Sequence, residues 1–221
     1  MNPYRETVLG YPGRIFCFEK NRNDAEAAKR VIAESQERIV ELGSGSGNHL
    51  IGLAARHPHA SCFGFEIRYK RSVRTIQKAD RAGRANVFVF RADANSLVDH
   101  FAPSSIAAVY VNFPDPWERK RERKHRLLGD RLLGMVYQSL VPSGFLAVKT
   151  DHREYFETFL TCVGEDPRFQ VVAQSRDLHR SELMSDNIET EFEALFRSQG
   201  LPVHYAKIVP LPKAHSPSRE L

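Results

Sequence analysis

Long apolar runs are absent from this chain of 221 residues. No stretch approaches the roughly 18 consecutive apolar residues of a membrane-spanning helix, and the first residues lack the pattern of a secretory signal. The three cysteines, Cys17, Cys62 and Cys162, lie far apart, and the nine histidines show no metal-binding spacing. The sequence therefore predicts neither a disulfide framework nor a metal site, and it is typical of a protein of the reducing cytoplasm.

Positive charge is present in only modest excess, but it is concentrated. The net charge is +5, and residues 68–84 carry +6 while residues 118–126 carry +4, so the remainder of the chain carries −5. Such a distribution is typical of a protein that binds a polyanion with one face. The alternative is two solvated helix faces.

Short apolar runs alternate along the chain with helical patterns. Strands are predicted over 38–43, 61–67, 86–92, 106–113 and 144–150, with weaker candidates at 169–173 and 203–209. Helices are predicted over 24–35 (capped by Asn23 or Asp24), 47–56, 68–82, 94–100, 128–140 and 152–163. Strands that are apolar on both faces and alternate with helices predict an α/β fold, a mostly parallel twisted sheet with helices on both faces.

One domain is expected over residues 24–209. It would follow an irregular N-terminal segment, residues 1–23, and precede a flexible tail, residues 210–221. The length suits one large α/β domain and is short for two. The sequence leaves a monomer and a homodimer equally open.

A glycine-rich turn follows the first strong strand, in the segment ELGSGSGNHL at 41–50. Gly43, Gly45 and Gly47 would let the backbone turn sharply and approach a ligand closely, since a Cβ would collide there. The spacing G-x-G-x-G is one residue shorter than the dinucleotide fingerprint. Taken alone it is a weak signal, because glycines also form tight strand–helix connections.

Three acidic residues indicate which class of ligand the cleft beside this turn would bind. Glu41, Glu66 and Asp93 lie at the carboxyl ends of three predicted strands, where open α/β sheets bind ligands. A pyrophosphate is poorly matched to an acidic cleft. A cationic cofactor with a ribose and an adenine suits it, which indicates S-adenosylmethionine, with Glu41 near the methionine moiety, Glu66 on the ribose and Asp93 near the adenine. Asp93 could alternatively cap a neighbouring helix.

The fourth strong strand ends in Asn-Phe-Pro-Asp-Pro-Trp at 112–117, which runs into the basic segment. Two prolines exclude a helix and would hold Asp115 in a fixed loop beside the cofactor cleft. Trp117 is the only tryptophan. It would either offer a face on which a base stacks or anchor the loop to the core.

At this point the chain resembles the bacterial tRNA (guanine-N7)-methyltransferases. The shared motifs are ELGSGSG at 41–47, GFEI at 64–67, DA at 93–94, FPDPW at 113–117, TD at 150–151 and TEFE at 190–193. The resemblance covers about residues 38–200 and implies a Rossmann-like class I S-adenosylmethionine-dependent methyltransferase. It also implies the product, N7-methylguanosine at position 46 in the variable loop of tRNA.

The resemblance also implies roles for individual residues. Asp115 would be catalytic and would contact the methyl donor. The other donor-binding residues would be Glu41, Gly43, Gly45, Gly47, Glu66, Asp93 and Ala94. The substrate-binding residues would be Arg119, Asp151, Thr190, Glu191, Phe192 and Glu193. Arg119 stands where the family commonly has a lysine, and VHYAKIV at 203–209 departs from the family pattern.

Guanine N7 carries no proton, so its methylation needs no general base, and catalysis rests on proximity and electrostatics. Asp115 would stabilise the positive charge that develops on the ring or accept hydrogen bonds from the guanine edge, and Asp151 would take the other role. Asp151 could alternatively be a helix N-cap. RNA phosphates would be bound by Lys120, Arg121, Arg123, Lys124 and Arg126.

A second basic stripe, formed by Arg71, Arg74, Lys78 and Arg81, is a lesser candidate for RNA contact. Val73 and Ile76, on the same segment, would face the sheet.

Three other functions are compatible with parts of this pattern. A methyltransferase acting on another RNA or a small molecule would share the fold. A nicotinamide-dependent oxidoreductase would use a similar sheet, but the short glycine motif and the acidic cleft argue against it. A catalytically inactive RNA-binding module is disfavoured because all of the donor-site acids are retained.

Overall fold

A twisted sheet of eight strands is the centre of the computed structural model, which describes residues 3–18 and 22–212. The strands are β1 (Ile15–Phe16), β2 (Glu37–Leu42), β3 (Ala60–Phe65), β4 (Val87–Phe90), β5 (Ile106–Asn112), β6 (Leu140–Thr150), β7 (Phe169–Ser175) and β8 (His204–Pro210). Their order across the sheet is β1-β4-β3-β2-β5-β6-β8-β7. The first six strands in that order pair in parallel, and β8 is antiparallel to both β6 and β7.

Helices connect the strands. They are α1 (Tyr4–Thr7), α2 (Arg22–Glu34), α3 (Asn48–Arg56), α4 (Tyr69–Arg81), α5 (Leu97–His100), α6 (Asp130–Ser139), α7 (Arg153–Glu165) and α8 (Glu191–Ser198). Short 3₁₀ helices span Val8–Gly10, Ala94–Ser96, Lys120–His125, Leu178–Arg180 and Glu182–Asp186. Within the described residues, no helix combines the length and apolarity that a membrane span requires.

The period-two alternation of each strand sends apolar side chains into two separate cores. Val40 and Leu42 of β2 lie in the core under α2, α5, α6 and α7, whereas Ile39 lies in the core under α3 and α4. On α4, Val73 and Ile76 are fully buried in this second core, as their spacing predicted. The sheet is therefore covered by helices on both faces, and the predicted α/β class is confirmed.

The site is positioned by the point where the strand order reverses. From β2 the chain adds β3 and β4 on one side, then returns to place β5 and β6 on the other. The loops after β2 and β5 consequently diverge and leave a crevice at the carboxyl ends of these strands, which is where open α/β sheets bind ligands.

The structure differs from the sequence expectations in several places. Residues 3–18, expected to be irregular, contain α1 and the short strand β1, which extends the sheet beside β4. Helix α2 begins at Arg22, so Asp24 lies in its first turn rather than at its cap, and the Asp24 carboxylate accepts a hydrogen bond from the Cys17 N–H. The predictions for residues 213–221 lie outside the described part of the chain.

Three further elements gained definition from tertiary packing. Helix α8 was not predicted, because its segment EFEALFRS is only eight residues long and gives too short a periodic pattern. The weak strand candidates at 169–173 and 203–209 are confirmed as β7 and β8. They form an antiparallel pair at one edge of the sheet.

Candidate active site

The glycine loop after β2 has the conformation that its sequence requires. Gly43, Gly45 and Gly47 have φ values of 77°, 56° and 81°, in the left-handed region that favours glycine. A Cβ at Gly47 would also collide with the side chain of Thr75 on α4. The loop is fixed to β3, because the Gly43 N–H donates to the Phe65 carbonyl at 2.9 Å. The glycines of this loop therefore leave its backbone open to close approach from the crevice.

Glu41, the fifth residue of β2, lies at the bottom of this crevice and is 3% exposed. Its Oε1 accepts a hydrogen bond from the Asn112 amide at 2.8 Å, and it lies 3.2 Å from His49 Nδ1. The other oxygen, Oε2, is buried and has no hydrogen-bond partner among the described residues. The buried Ser44 hydroxyl and Asn112 Oδ1 likewise lack partners there. This cluster is incomplete without a polar ligand, because a buried acceptor without a donor is costly.

Glu66 follows β3 and is 5% exposed. Its Oε1 accepts the Arg68 N–H at 2.7 Å, and Oε2 lies 3.8 Å from the Arg71 guanidinium. Burial raises the pKa of this carboxyl above its ordinary value, and the Arg68 N–H and the positive charge of Arg71 oppose that effect. Glu66 is thus held by its neighbours at the wall of the crevice.

Asp93 follows β4 in an exposed position. Its Oδ1 accepts hydrogen bonds from the Asn95 N–H and the Asn95 side-chain amide, both at 2.8 Å. Asp93 therefore caps the 3₁₀ helix Ala94–Ser96, which was the alternative recognised in the sequence. The cap fixes the backbone of Ala94 and Asn95 at the edge of the crevice.

The position of Asp115 is fixed by contacts of neighbouring residues in its loop and not by contacts of its own carboxylate. Phe113 and Trp117 have φ values of 49° and 41°, which are strained for residues with side chains. The Phe113 N–H donates to the Lys149 carbonyl at 2.8 Å, and Arg126 Nε donates to the Pro116 carbonyl at 2.6 Å. In the described chain no hydrogen bond or ion pair engages the exposed Asp115 carboxylate. The loop is rigid while its acid remains available.

Two adjoining cavities occupy the crevice. The first, called here the loop cavity, has a volume of about 160 Å³ and is lined by the glycine loop, Glu41, Asn112, Asp115 and the start of α8. The second, called here the outer cavity, has a volume of about 740 Å³ and lies between the glycine loop and the basic 3₁₀ helix Lys120–His125. Gly43, Arg68 and Arg71 line both cavities. The outer cavity also contains Glu66, Asp93, Ala94 and Trp117 in its wall.

Helix α8 closes the loop cavity with the residues of the TEFE motif. Thr190 Oγ1 accepts the Glu193 N–H at 2.9 Å and the Glu193 carboxylate accepts the Thr190 N–H at 3.3 Å, which is a capping box. Thr190, Glu191 and Phe192 line the cavity, and Phe192 remains 48% exposed. Glu193 does not line it, because its side chain is fully buried against Lys149. The resemblance implied substrate contact by all four residues, and the geometry permits it for three.

The basic segment is only partly free to contact RNA. Arg126 points inward, stacks on the Tyr155 ring at 4.7 Å and holds the Pro116 carbonyl. Arg123 pairs with Glu154 at 3.1 Å. Among the described residues, Lys120 and Lys124 form no ion pair and are exposed. The exposed residues Arg119 and Arg121 lie 3.7 Å and 3.6 Å from Glu122.

The structure decides between the alternatives that the sequence left open for Trp117 and Asp151. Trp117 is 38% exposed, lies 5.6 Å from the His125 ring and belongs to neither core, so it does not anchor the loop to the interior. Asp151 is not the N-cap of α7, since His152 Nδ1 accepts the Tyr155 N–H there. Asp151 is exposed and lies outside the walls of both cavities.

Sequence reasoning did not identify His49, Asn112 and Lys149. His49 and Asn112 contact Glu41, and Lys149 binds Glu193. Asn112 had a usable signal, since it is a polar residue at the end of an apolar strand next to FPDPW. His49 lies one residue into a helix, where a histidine is not diagnostic. Over residues 3–18 and 22–212, no cluster of side chains that could hold a metal ion is found.

Comparison with known proteins identifies the family. A family model described as "Putative methyltransferase" matches residues 35–206. The tRNA (guanine-N(7)-)-methyltransferase of Lachnoclostridium phytofermentans is 37% identical over 165 residues, which cover 75% of this chain and 77% of that protein. The chain belongs to the tRNA (guanine-N7)-methyltransferase family. The Geobacillus kaustophilus member is 31% identical over 188 residues, which cover 85% of this chain and 86% of that member.

A longer relative carries the same region as a part. The "Bifunctional glycosyltransferase/methyltransferase" of Fusobacterium nucleatum is 36% identical over 200 residues, which cover 88% of this chain and 30% of that protein. The matched region therefore also occurs as one part of a larger protein.

Solved structures support the fold. The 16S rRNA methyltransferase KamB superposes with a TM-score of 0.62 at 15% identity, covering 87% of this chain and 94% of KamB. A 16S rRNA (adenine(1408)-N(1))-methyltransferase from Catenulisporales acidiphilia gives 0.56 at 16% identity, covering 89% of this chain and 94% of that one. The Rossmann-like class I methyltransferase fold of the tRNA (guanine-N7)-methyltransferase family is thus present.

Proposed function

We propose that this protein transfers a methyl group from S-adenosylmethionine to N7 of a guanine in tRNA. By resemblance to its family, we infer that the product is N7-methylguanosine at position 46 in the variable loop. The observation that carries this proposal is the Asp115 loop, whose free carboxylate faces the loop cavity next to Glu41 and the glycine loop. We assign the core of the methyltransferase domain to residues 24–209, a range supported by the family match over 35–206, and β1 of the preceding segment extends the sheet of this domain.

The residues of the crevice fit the proposed donor, which supplies an electrophilic methyl group on a sulfonium. Buried acceptors without partners, Glu41 Oε2 and Asn112 Oδ1, suit the ammonium group of the methionine part. Glu66 Oε2 suits ribose hydroxyls, since a carboxylate after the second strand of such a sheet accepts them. The capped Asp93–Ala94–Asn95 turn suits the adenine, and Gly43, Gly45 and Gly47 allow close approach of the backbone.

The chain's contribution to the reaction is mainly positioning. Guanine N7 is a neutral nucleophile without a proton, so the protein needs to align it and exclude water. Asp115 accepts hydrogen bonds from the N1–H and amine of the guanine edge, and its negative charge stabilises the positive charge that the ring gains. Because the neighbours of Asp115 hold the loop, the carboxylate needs no reorganisation when the substrate binds.

Phe192 is the second substrate contact in this assignment. It is half-exposed in the wall of the loop cavity that Asp115 also lines, and its ring lies 6.4 Å from that of Phe113. An aromatic face in this position would stack on the guanine, as bases do on aromatic side chains. Thr190 and Glu191 would line the remainder of the guanine site, while Arg119 and Asp151 would contact RNA outside the cavities.

Phosphates of the tRNA would lie along the rim of the outer cavity. Lys124 and Trp117 line this cavity, where Trp117 offers a stacking face, and Lys120 and Arg121 are exposed on the same 3₁₀ helix as Lys124. Arg123 would exchange its partner Glu154 for a phosphate. Arg126 would act indirectly, by holding the Asp115 loop through the Pro116 carbonyl.

The decisive experiment is incubation of the protein with methyl-labelled S-adenosylmethionine and unmodified tRNA, followed by nucleoside digestion and mass spectrometry. The expected product is N7-methylguanosine, and a tRNA transcript with adenosine at position 46 should remain unlabelled. Label on another base, or on ribosomal RNA but not on tRNA, would contradict the proposal.

A further inference from the structure

A buried ion pair lies behind the wall of the loop cavity, outside the residues assigned above to the donor. Lys149 Nζ lies 2.6 Å from Glu193 Oε2, and the two side chains are 5% and 0% exposed. Lys149 is the penultimate residue of β6 and pairs in register with Asn112 of β5. Glu193 is in the first turn of α8. The pair thus joins the catalytic end of the sheet to the helix that closes the site.

Every donor of the Lys149 ammonium is used. Besides Glu193 it donates to Asn187 Oδ1 and to the Ile188 carbonyl, each at 2.9 Å. An ammonium has three N–H donors, so no donor remains for a substrate. Lys149 therefore fixes two segments at once, the strand connection at 187–188 and the start of α8.

The Glu193 carboxylate is likewise engaged by residues of the protein. Its Oε1 accepts the Asn187 side-chain amide at 2.5 Å and lies 3.1 Å from His179 Nε2, while Oε2 accepts the Thr190 N–H in addition to Lys149. A fully buried carboxylate with these partners presents no surface that RNA could contact. Its effect on a substrate must pass through the position of α8.

We propose that Lys149 and Glu193 are positioning residues that lock α8 so that Phe192 lies in the wall of the loop cavity shared with Asp115. The effect of this lock on tRNA methylation rests on the proposed function. The lock itself is a property of the fold and is testable without RNA. It replaces the direct substrate contact that the TEFE resemblance implies for Glu193.

An ion pair on the outer side of α8 is more exposed and therefore weaker. Lys78 on α4 pairs with Glu191 at 2.6 Å, but these side chains are 29% and 49% exposed, and such pairs contribute little because water and salt screen them. The buried pair therefore dominates the placement of the helix start. Misplacement of a substrate-positioning group by about 1 Å can lower a rate on the order of 10²-fold.

The test uses the full-length protein and the variants Lys149→Met, Glu193→Gln and their combination. Hydrogen exchange without RNA is measured by mass spectrometry over residues 187–198 and over the glycine loop. In both single variants the exchange rate should rise over residues 187–198 and stay unchanged over the glycine loop. The double variant should lie closer to wild type than Lys149→Met, because that single change leaves a buried carboxylate without its cation.

Kinetics then separate positioning from substrate contact. The lock predicts that kcat for tRNA falls about 10²-fold while the Kd for S-adenosylmethionine, measured without RNA, changes far less. It also predicts that the two losses are not additive in the double variant. The matched control is Glu157→Gln, which removes a surface pair with Arg176 at 2.8 Å and should change neither readout.

Two results would overturn the proposal. One is a loss of kcat in Glu193→Gln with unchanged exchange over 187–198, which would show that Glu193 acts on RNA directly. The other is a double variant whose fold-loss of kcat equals the product of the fold-losses in the two single variants. If Lys149→Met does not fold, Asn187→Ala removes one partner of each charge and should give an intermediate increase in exchange. If wild type methylates no tRNA, the proposed function fails while the exchange data still decide the lock.

Discussion

Asp115 illustrates how a single residue is prepared by its neighbours. Its loop contains two residues with positive φ, and such conformations cost about 1–3 kcal/mol each and persist only where other contacts impose them. Here the Lys149 carbonyl and the Arg126 side chain supply those contacts. The acid is consequently presented to the cavity without forming an internal bond of its own.

Replacing Asp115 by Ala should lower kcat for tRNA methylation by about 10²–10³-fold, because a preorganised charge aimed at the developing cation is removed. Affinity for S-adenosylmethionine, measured by calorimetry, should fall much less. Glu118→Gln, a change at an exposed acid three residues along, is the control and should retain turnover. Unchanged kcat in Asp115→Ala would refute the catalytic assignment.

Glu66 should make donor binding sensitive to acid. Burial raises its pKa, so on acidification it takes up a proton at a higher pH than an ordinary glutamate does. Donor affinity that needs the carboxylate should therefore be full above the raised pKa and be lost as pH falls through it. The stability of the free protein responds in the opposite direction, because a raised pKa means that the folded state favours the protonated form.

The measurement is the Kd for S-adenosylmethionine between about pH 5 and pH 8, in wild type and in Glu66→Gln. The variant should bind more weakly at high pH and lose the acid dependence. If its pH profile parallels that of wild type, another group controls donor binding.

At the scale of elements, the 3₁₀ helix Lys120–His125 shows how a run of like charges is divided. Its sequence suggests a uniform RNA-binding face, but Arg126, just beyond the helix, serves the Asp115 loop and Arg123 is paired with Glu154. The free cations are the lysines at both ends of the turn. A loop of this kind can bind phosphate and still hold Asp115, the proposed catalytic residue, in place.

Replacement of both Lys120 and Lys124 by Gln should weaken tRNA binding and flatten the dependence of log K on log salt by about 1–2 units. Binding is followed by filter retention at several salt concentrations. Lys29→Gln, on the exposed surface of α2, is a control that removes one positive charge outside the basic segment. An identical slope in wild type and the double variant would mean that the run is only solvated.

At the scale of the whole molecule, the N-terminal segment is part of the fold. Strand β1 covers the edge of β4, and Arg14 donates to the carbonyls of Val87 and Arg84 at 2.9 Å and 3.0 Å. Val8, Ile15 and Phe16 are buried. These contacts protect an edge that would otherwise be open to pairing with other chains.

Deletion of residues 1–18 should lower the free energy of unfolding by about 3 kcal/mol or more, since each fully buried apolar side chain contributes about 1.5–3 kcal/mol. Urea denaturation measures the loss, and size-exclusion chromatography should reveal association through the exposed β4 edge. Ile15→Ala is a milder variant that should lose a part of this stability. An unchanged urea midpoint would show that the segment contributes nothing to the fold.

Prediction from the sequence succeeded where the signal is local. The strong strands, the helices between them and the buried face of α4 follow from periodicity, and the glycine loop follows from the need for positive φ. Prediction failed where long-range contacts decide. Strand β1 has two residues and exists because β4 offers an open edge, and α8 is held by Lys149, which lies 44 residues away from its partner.

The sequence by itself determined the α/β class, the carboxyl-end position of Glu41, Glu66, Asp93 and Asp115, and the family motifs. Each of these depends on the order of residues along one strand and the loop after it. Only the tertiary structure decided which charged side chains are free: Glu193 and Arg126 are engaged inside the protein, whereas Asp115 is open to the cavity. The physical reason is that the partners of a charged side chain come from other helices and strands. The burial of these elements and the distances between them do not follow from local sequence.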